Sequence, residues 1–150
     1  MSVSSIGVIK LYRTSVGKKV IMALTGVIGI GFVIVHMYGN LKIFGGTEHF
    51  NAYSEGLRAL GGPIFGHSHL LWFLRLILIT AVVLHVWAAW SLYQEKRQAR
   101  AHPYIKHTNV QATPAALYIR VGGVILLIFI IFHLMQFTWG VPGVIPDFSQ

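Results

Sequence analysis

The stretch VIMALTGVIGIGFVIVHMYGNL, residues 20–41, decides the fold class, because it holds no Asp, Glu, Lys or Arg. About 20 predominantly apolar residues are long enough to cross a bilayer as an α-helix. Two further blocks are also long and predominantly apolar, each with a single arginine: HLLWFLRLILITAVVLHVWAAWSLY at 69–93 and AALYIRVGGVILLIFIIFHLMQFTWG at 115–140. Lipid offers no water to backbone N–H and C=O groups, and the blocks lack the alternation of barrel strands. Each block is therefore predicted to be a transmembrane helix.

The composition of the whole chain agrees with this prediction. Of 150 residues, 55% are hydrophobic, and only 12 Lys and Arg and 4 Asp and Glu are present. We expect one domain, residues 1–150, that is an all-α integral membrane helical bundle. There is no cysteine, which excludes disulfides, Cys-ligated zinc and iron–sulfur clusters held by this chain. No small-residue cleavage site follows the first apolar run, so no removable signal peptide is predicted.

The net charge of +8 lies in short clusters beside the apolar blocks, not along a nucleic-acid-binding face. Lys18 and Lys19 precede the first block, and EKRQAR at 95–100 follows the second. Positive clusters of this kind mark the cytoplasmic ends of membrane helices. We therefore expect a cytoplasmic N-terminus, an outward connection at 45–63, contact with the lipid bilayer and no nucleic-acid partner.

Each block carries one deep histidine: His36, His85 and His133. With a rise of about 1.5 Å per residue, His36 lies roughly 25 Å above Lys19 and His133 roughly 20 Å above Arg120. By the same measure, His85 lies only about 14 Å above Gln94, at the cytoplasmic end of its block. Two imidazoles at one depth on different helices suit the two faces of one iron porphyrin. The alternatives are helix–helix hydrogen bonds and a proton relay.

Small and aromatic residues lie on the same helix faces as these histidines. They are Phe32, Gly29 and Thr25 on the first block, Ala81, Ala88 and Ala89 on the second, and Phe129, Leu126 and Gly122 on the third. Such columns leave room for a flat macrocycle, on which the Phe rings could pack. Small residues in membrane helices also simply allow close helix packing, and the sequence does not separate the two interpretations.

The remaining ionisable groups offer secondary candidates. Arg75 and Arg120 are candidate partners of haem propionates, with snorkelling to the interface as the alternative. Glu48 and Glu55 are candidate proton carriers near a quinone, with solvated loop carboxylates as the alternative. The other histidines are expected at loops or block edges, where one of them could meet a quinone or a propionate: His49, His67, His69, His102 and His107.

Several stretches resemble one known family. They are GKKVIMALTG at 17–26, HMYGNLKIFGG at 36–46, FNAYSEGLR at 50–58, LHVWAAWSLYQEKRQARAHPY at 84–104 and GGVILLIFIIFHLMQFTWG at 122–140. Together they are similar to the cytochrome b membrane anchor of succinate:quinone oxidoreductases and fumarate reductases, of the single-subunit, two-haem type. The resemblance covers most of residues 15–140 in order.

The resemblance implies a complex with a flavoprotein and an iron–sulfur protein in the bacterial cytoplasmic membrane. It implies electron transfer through two b haems to or from a quinone, with no dicarboxylate chemistry in this chain. In the family pattern, His36 and His133 match the axial ligands of the distal haem. His85 matches one ligand of the proximal haem, whose second ligand is a histidine on a fourth helix.

The sequence departs from that family after the third block. Relatives have five membrane helices, whereas these residues end at VPGVIPDFSQ, 141–150, so the fourth haem ligand is missing. We expect a truncated chain in preference to a second polypeptide that supplies the remaining helices. Two other functions stay open: a haem b anchor of a hydrogenase or formate dehydrogenase, and a cofactor-free membrane scaffold or transporter.

Overall fold

The chain is helical throughout its regular structure in a computed structural model that describes residue 10 and residues 12–99 and 113–144. The elements are α1 (Ser15–Leu41), a 3-10 helix (Lys42–Gly45), α2 (Thr47–Ala59), α3 (Gly62–Phe65), α4 (His69–Gln98) and α5 (Pro114–Phe137). By length and composition, α1, α4 and α5 can each cross a membrane. The predicted all-α membrane fold is confirmed.

Large apolar side chains cover the outside of these three helices. Ile30 on α1 is 64% exposed, Val83 on α4 is 61% exposed and Ile128 on α5 is 62% exposed. Burial of such side chains is the main driving force of folding in water, so a water-soluble chain would bury them. In a bilayer the same surface faces hydrocarbon, which makes it an ordinary lipid-facing surface.

The bounds of the three long helices differ from the predicted blocks for local reasons. α1 begins at Ser15, five residues before its block, because the Thr14 side chain caps it by accepting a hydrogen bond from the Gly17 N–H at 3.0 Å. α4 continues to Gln98, and its last turn carries Lys96 and Arg97, which suit the negative end of the helix dipole. α5 begins at Pro114, one residue before its block, where proline suits the first turn of a helix, and ends at Phe137.

The chain divides into two compact units, Met1–His102 and Pro103–Gln150. The first unit contains α1 to α4, and the second contains α5. The expectation of one domain over residues 1–150 stays a prediction.

The first unit is built on an antiparallel helix pair, and we call the interface between α1 and α4 the seam. At one end, Glu95 of α4 accepts hydrogen bonds from Lys18 and from Ser15 of α1. Ten residues farther back along α4, His85 lies against Thr25. Ala81 and Ala88 are buried, so the seam is closed by small side chains of the kind that lets membrane helices approach.

Residues 42–68, which we call the connecting segment, link the C-terminal end of α1 to the N-terminal end of α4. The sequence predicts only an outward connection here, whereas the structure contains the 3-10 helix, α2 and α3. α2 lies against the end of α1, where the Tyr53 ring fits over the buried Gly39. A 2.7 Å hydrogen bond to the Arg58 carbonyl from the N–H of Ser68, the residue just before α4, ties the end of the segment to the last turn of α2.

Candidate functional site

His85 is within hydrogen-bonding distance of a side chain on the neighbouring helix α1. Its Nδ1 lies 3.0 Å from Oγ1 of Thr25, which is only 8% exposed. The Thr25 hydroxyl donates a hydrogen bond to the Ile21 carbonyl at 2.7 Å, which is how a threonine within a membrane helix usually satisfies its hydroxyl group. The next residue of α1, Gly26, presents bare backbone to the ring: a Cβ there would lie 3.5 Å from His85 Cε1.

His36 has a different environment on the same helix as Thr25. It is exposed on α1, and its ring stacks on Phe32 with the centroids 5.1 Å apart and the planes 20° apart. Phe32 is thus on the predicted face, one turn before the histidine. The stacking limits rotation of the imidazole.

His133 repeats this arrangement within the second unit. Phe129, one turn earlier on α5, stacks on it at 5.6 Å with the planes 26° apart. Phe137, one turn later, approaches it at 5.0 Å. Both predicted Phe residues therefore contact the histidine of their own helix. Whether His133 and His36 face one another is a relation between the two units, and their pairing stays a prediction.

The seam fixes the relative levels of His36 and His85. The Thr25–His85 contact marks the register of the two helices, and His36 lies eleven residues beyond Thr25 on α1. At about 1.5 Å per residue, the two histidines are separated by roughly 16 Å along the helix axis. This separation is larger than the difference of about 11 Å between the depths estimated from the sequence, and both place His85 nearer the Lys18 end of the seam.

The same register brings Arg75 to about the level of His36. In the structure its guanidinium lies over the Trp72 ring, 4.9 Å from the centroid, on an exposed part of α4. Arg120 is exposed on α5 in the second unit. The propionate roles of both arginines stay predictions.

Glu55 belongs to a polar cluster in the connecting segment. One carboxylate oxygen lies 3.0 Å from His67 Nε2, and the other accepts a hydrogen bond from Arg58 at 3.4 Å. The hydrogen bond with His67 holds the pKa of the Glu55 carboxyl below its usual 4.5, Arg58 adds to this effect, and desolvation partly opposes it. Ser68 Oγ lies 3.1 Å from His67 Nδ1. These contacts make Glu55 a partner of Arg58 and His67 within its own segment.

The other predicted surface groups are dispersed. Glu48 lies in the first turn of α2, where a carboxylate suits the helix dipole. His49, also on α2, is exposed beside Gly45, and His69 begins α4 beside Gly66. His102 and His107 lie outside the described residues. Among the described residues, no ion pair joins Glu48, His49 or His69 to Glu55.

The residues present fit axial ligation of a haem in their chemistry. Each deep histidine is the kind of neutral imidazole donor that haem iron takes, and each lies in an apolar helix. No group of three or more His, Cys, Asp or Glu side chains able to hold a metal ion occurs among the described residues. A haem requires only one imidazole from each side, so that result does not bear on it.

Sequence reasoning missed the partner of His85. It placed Thr25 in the column below His36, as a small residue that leaves room for a ligand, whereas the structure turns its hydroxyl to α4. Sequence reasoning also missed the contact of Lys18 and Ser15 with Glu95. The available signal was polarity: Thr25 is the one hydroxyl-bearing residue within the apolar run at 20–37.

Comparisons with protein families, with curated proteins and with solved structures give no match to this chain.

Proposed function

We propose that this chain is a haem b-binding, electron-transferring membrane anchor of the succinate:quinone oxidoreductase type. The observation that carries the proposal is one imidazole in each of three membrane-spanning helices, with His36 and His85 at two separate levels of the first unit. Two levels suit two haems, one nearer each side of the membrane. The sequence resemblance supplies the class of enzyme.

The histidines have distinct roles in this proposal. His36 and His133 hold the distal haem, each with its ring restrained by a stacked Phe. His85 provides one ligand of the proximal haem, and the second comes from a helix beyond these residues. A haem b with two imidazole ligands carries single electrons and has no open coordination position. Arg75, at the level of His36, is then placed to pair with a propionate.

The surroundings of the chain follow from the same proposal. The end of the seam with Lys18, Lys96 and Arg97 faces the cytoplasm by the positive-inside rule, together with the flavoprotein and iron–sulfur subunits. The connecting segment and the distal haem then lie toward the opposite face of a bacterial cytoplasmic membrane. The chain carries electrons between the iron–sulfur subunit and a membrane quinone.

The test is the haem content of the purified complex. We expect reducible b-type absorption bands, and we expect His36→Ala and His133→Ala to remove the same haem while a second one remains. His67→Ala is the matched control, because His67 is an exposed histidine bound to Glu55. It is expected to leave the haem content unchanged.

The outcomes separate the competing functions. Full haem content in both alanine variants contradicts the assignment of His36 and His133. Absence of b-type bands from the wild-type complex leaves a cofactor-free scaffold, for which the Thr25–His85 contact serves as a helix–helix hydrogen bond. Co-purification of a flavoprotein with succinate:quinone activity separates the proposed anchor from that of a hydrogenase or formate dehydrogenase.

A further inference from the structure

We infer that Thr25 is a positioning residue for His85: its Oγ1 accepts a hydrogen bond from the Nδ1–H across the seam and thereby presents Nε2 as the nitrogen free to bind a metal. The inference concerns the tautomer and orientation of one ring. It rests on the proposed function only in naming haem iron as the group that Nε2 meets.

The direction of the hydrogen bond follows from the single proton of the Thr25 hydroxyl. Oγ1 lies 2.7 Å from the Ile21 carbonyl and 3.2 Å from the Met22 carbonyl, and a carbonyl can only accept. The hydroxyl proton is therefore used within α1. Toward His85 Nδ1, at 3.0 Å, Oγ1 has only a lone pair to offer, so Nδ1 carries the proton.

A neutral imidazole carries one proton on its two nitrogens, so protonation of Nδ1 leaves Nε2 with a free lone pair. That lone pair is what a metal binds. Ligating histidines commonly donate their other N–H to an oxygen, which fixes the tautomer and the plane of the ring. Thr25 is such an oxygen, and it is supplied by the helix opposite the histidine.

The packing of the seam keeps the ring in this position. Ala81 and Ala88 lie one turn on either side of His85, on the same face of α4, and both are buried. The Gly26 backbone lies against Cε1 on the α1 side. Because these residues are small, they leave enough space for the His85 ring and keep it against Thr25.

The experiment uses the full chain, labelled with ¹⁵N-histidine in lipid nanodiscs, and compares Thr25→Val with Thr25→Ser. The wild-type His85 signals, identified by their loss in His85→Gln, are expected to show a protonated Nδ1 and a bare Nε2. Valine has nearly the shape of threonine but no acceptor, so Thr25→Val is expected to shift the population toward the other tautomer. Thr25→Ser is expected to restore the wild-type pattern, and Thr80→Val, at an exposed site on α4, to leave it unchanged.

A second measurement uses the whole complex. Loss of a group that orients a metal ligand typically weakens metal binding roughly 10–100-fold. We expect Thr25→Val to weaken retention of the His85 haem by a factor in this range and to shift its reduction potential. Thr25→Ser is expected to behave as the wild type in both measurements. A role limited to helix packing would move neither the tautomer nor the potential.

The results distinguish this inference from the proposed function. A wild-type His85 with its proton on Nε2, or a Thr25→Val tautomer pattern equal to the wild type, overturns the inference even when the complex binds haem. A tautomer shift in Thr25→Val that Thr25→Ser reverses supports the inference even when no variant binds haem, and in that case the proposed function fails alone.

Discussion

The seam and the connecting segment, two parts of the first unit, hold their helices together by different means. In the seam, α1 and α4 approach because Ala81 and Ala88 are small, and one polar pair, Thr25 with His85, lies within the apolar contact. In the connecting segment, the Tyr53 ring packs on Gly39 of α1, and exposed polar contacts surround Glu55.

The difference shows where each part can tolerate change. A seam between two long helices depends on side-chain volume, because an added carbon must separate the helices or distort them. An exposed polar cluster depends on protonation state and competes with water, so each contact in it contributes little. The three predictions below test this contrast, beginning with the largest expected effect.

Ala88→Leu is expected to destabilise the first unit by about 1–3 kcal/mol, the usual effect of overpacking a filled interior. Ala88 has 0% exposure, so the leucine has no outward route. The measurement is the free energy of unfolding in mixed detergent micelles. Val83→Leu is the control, because Val83 is on the same helix and is 61% exposed. A change for Ala88→Leu no larger than that of the control would show that the seam is loose.

Gly39→Ala and Gly31→Ala form a matched pair on α1. Alanine favours a helix over glycine by about 1 kcal/mol, and at Gly31 nothing lies within 4 Å of the new Cβ, so this substitution is expected to stabilise. At Gly39 the Cβ would lie 2.9 Å from Tyr53 Cε1, so we expect this substitution to be about 1–3 kcal/mol less favourable than the first. Unfolding in mixed micelles measures both.

A double variant sharpens the Gly39 prediction. If the Tyr53 ring is the reason why Gly39→Ala destabilises the chain, Tyr53→Ala combined with Gly39→Ala should be less destabilising than the sum of the two single changes. Simple additivity would mean that Gly39 is required for another reason.

The smallest effect is expected from the Glu55 contacts. Because these contacts lower the pKa of Glu55, they add stability that is fully present above pH 4.5 and lost as the pH falls through the lowered value. A ¹³C NMR titration of the carboxyl group is expected to have its midpoint below 4.5. His67→Ala should raise the midpoint more than Arg58→Ala, since His67 is the larger cause. The reverse order would contradict the geometry of the cluster.

The sequence predicted the three long helices better than the parts between them. Their apolar character over about 20 residues is a local property, and lipid imposes a helix on such a stretch whatever it packs against. The helix α2 was missed because its residues are mixed in charge, and α3 because it is only four residues long and begins with a glycine and a proline. The position of α2 depends on Tyr53 meeting Gly39, a contact between two different helices that is invisible to periodicity.

The candidate site divides in the same way. The sequence by itself determined that three histidines lie within apolar spans and that Phe32 and Phe129 share their faces, because helical spacing fixes both. Only the tertiary structure decided that Thr25 meets His85 and that Lys18 meets Glu95, because these contacts depend on the register of two antiparallel helices. That register is set by how small side chains fit across the seam, a property of both helices together and of neither sequence segment alone.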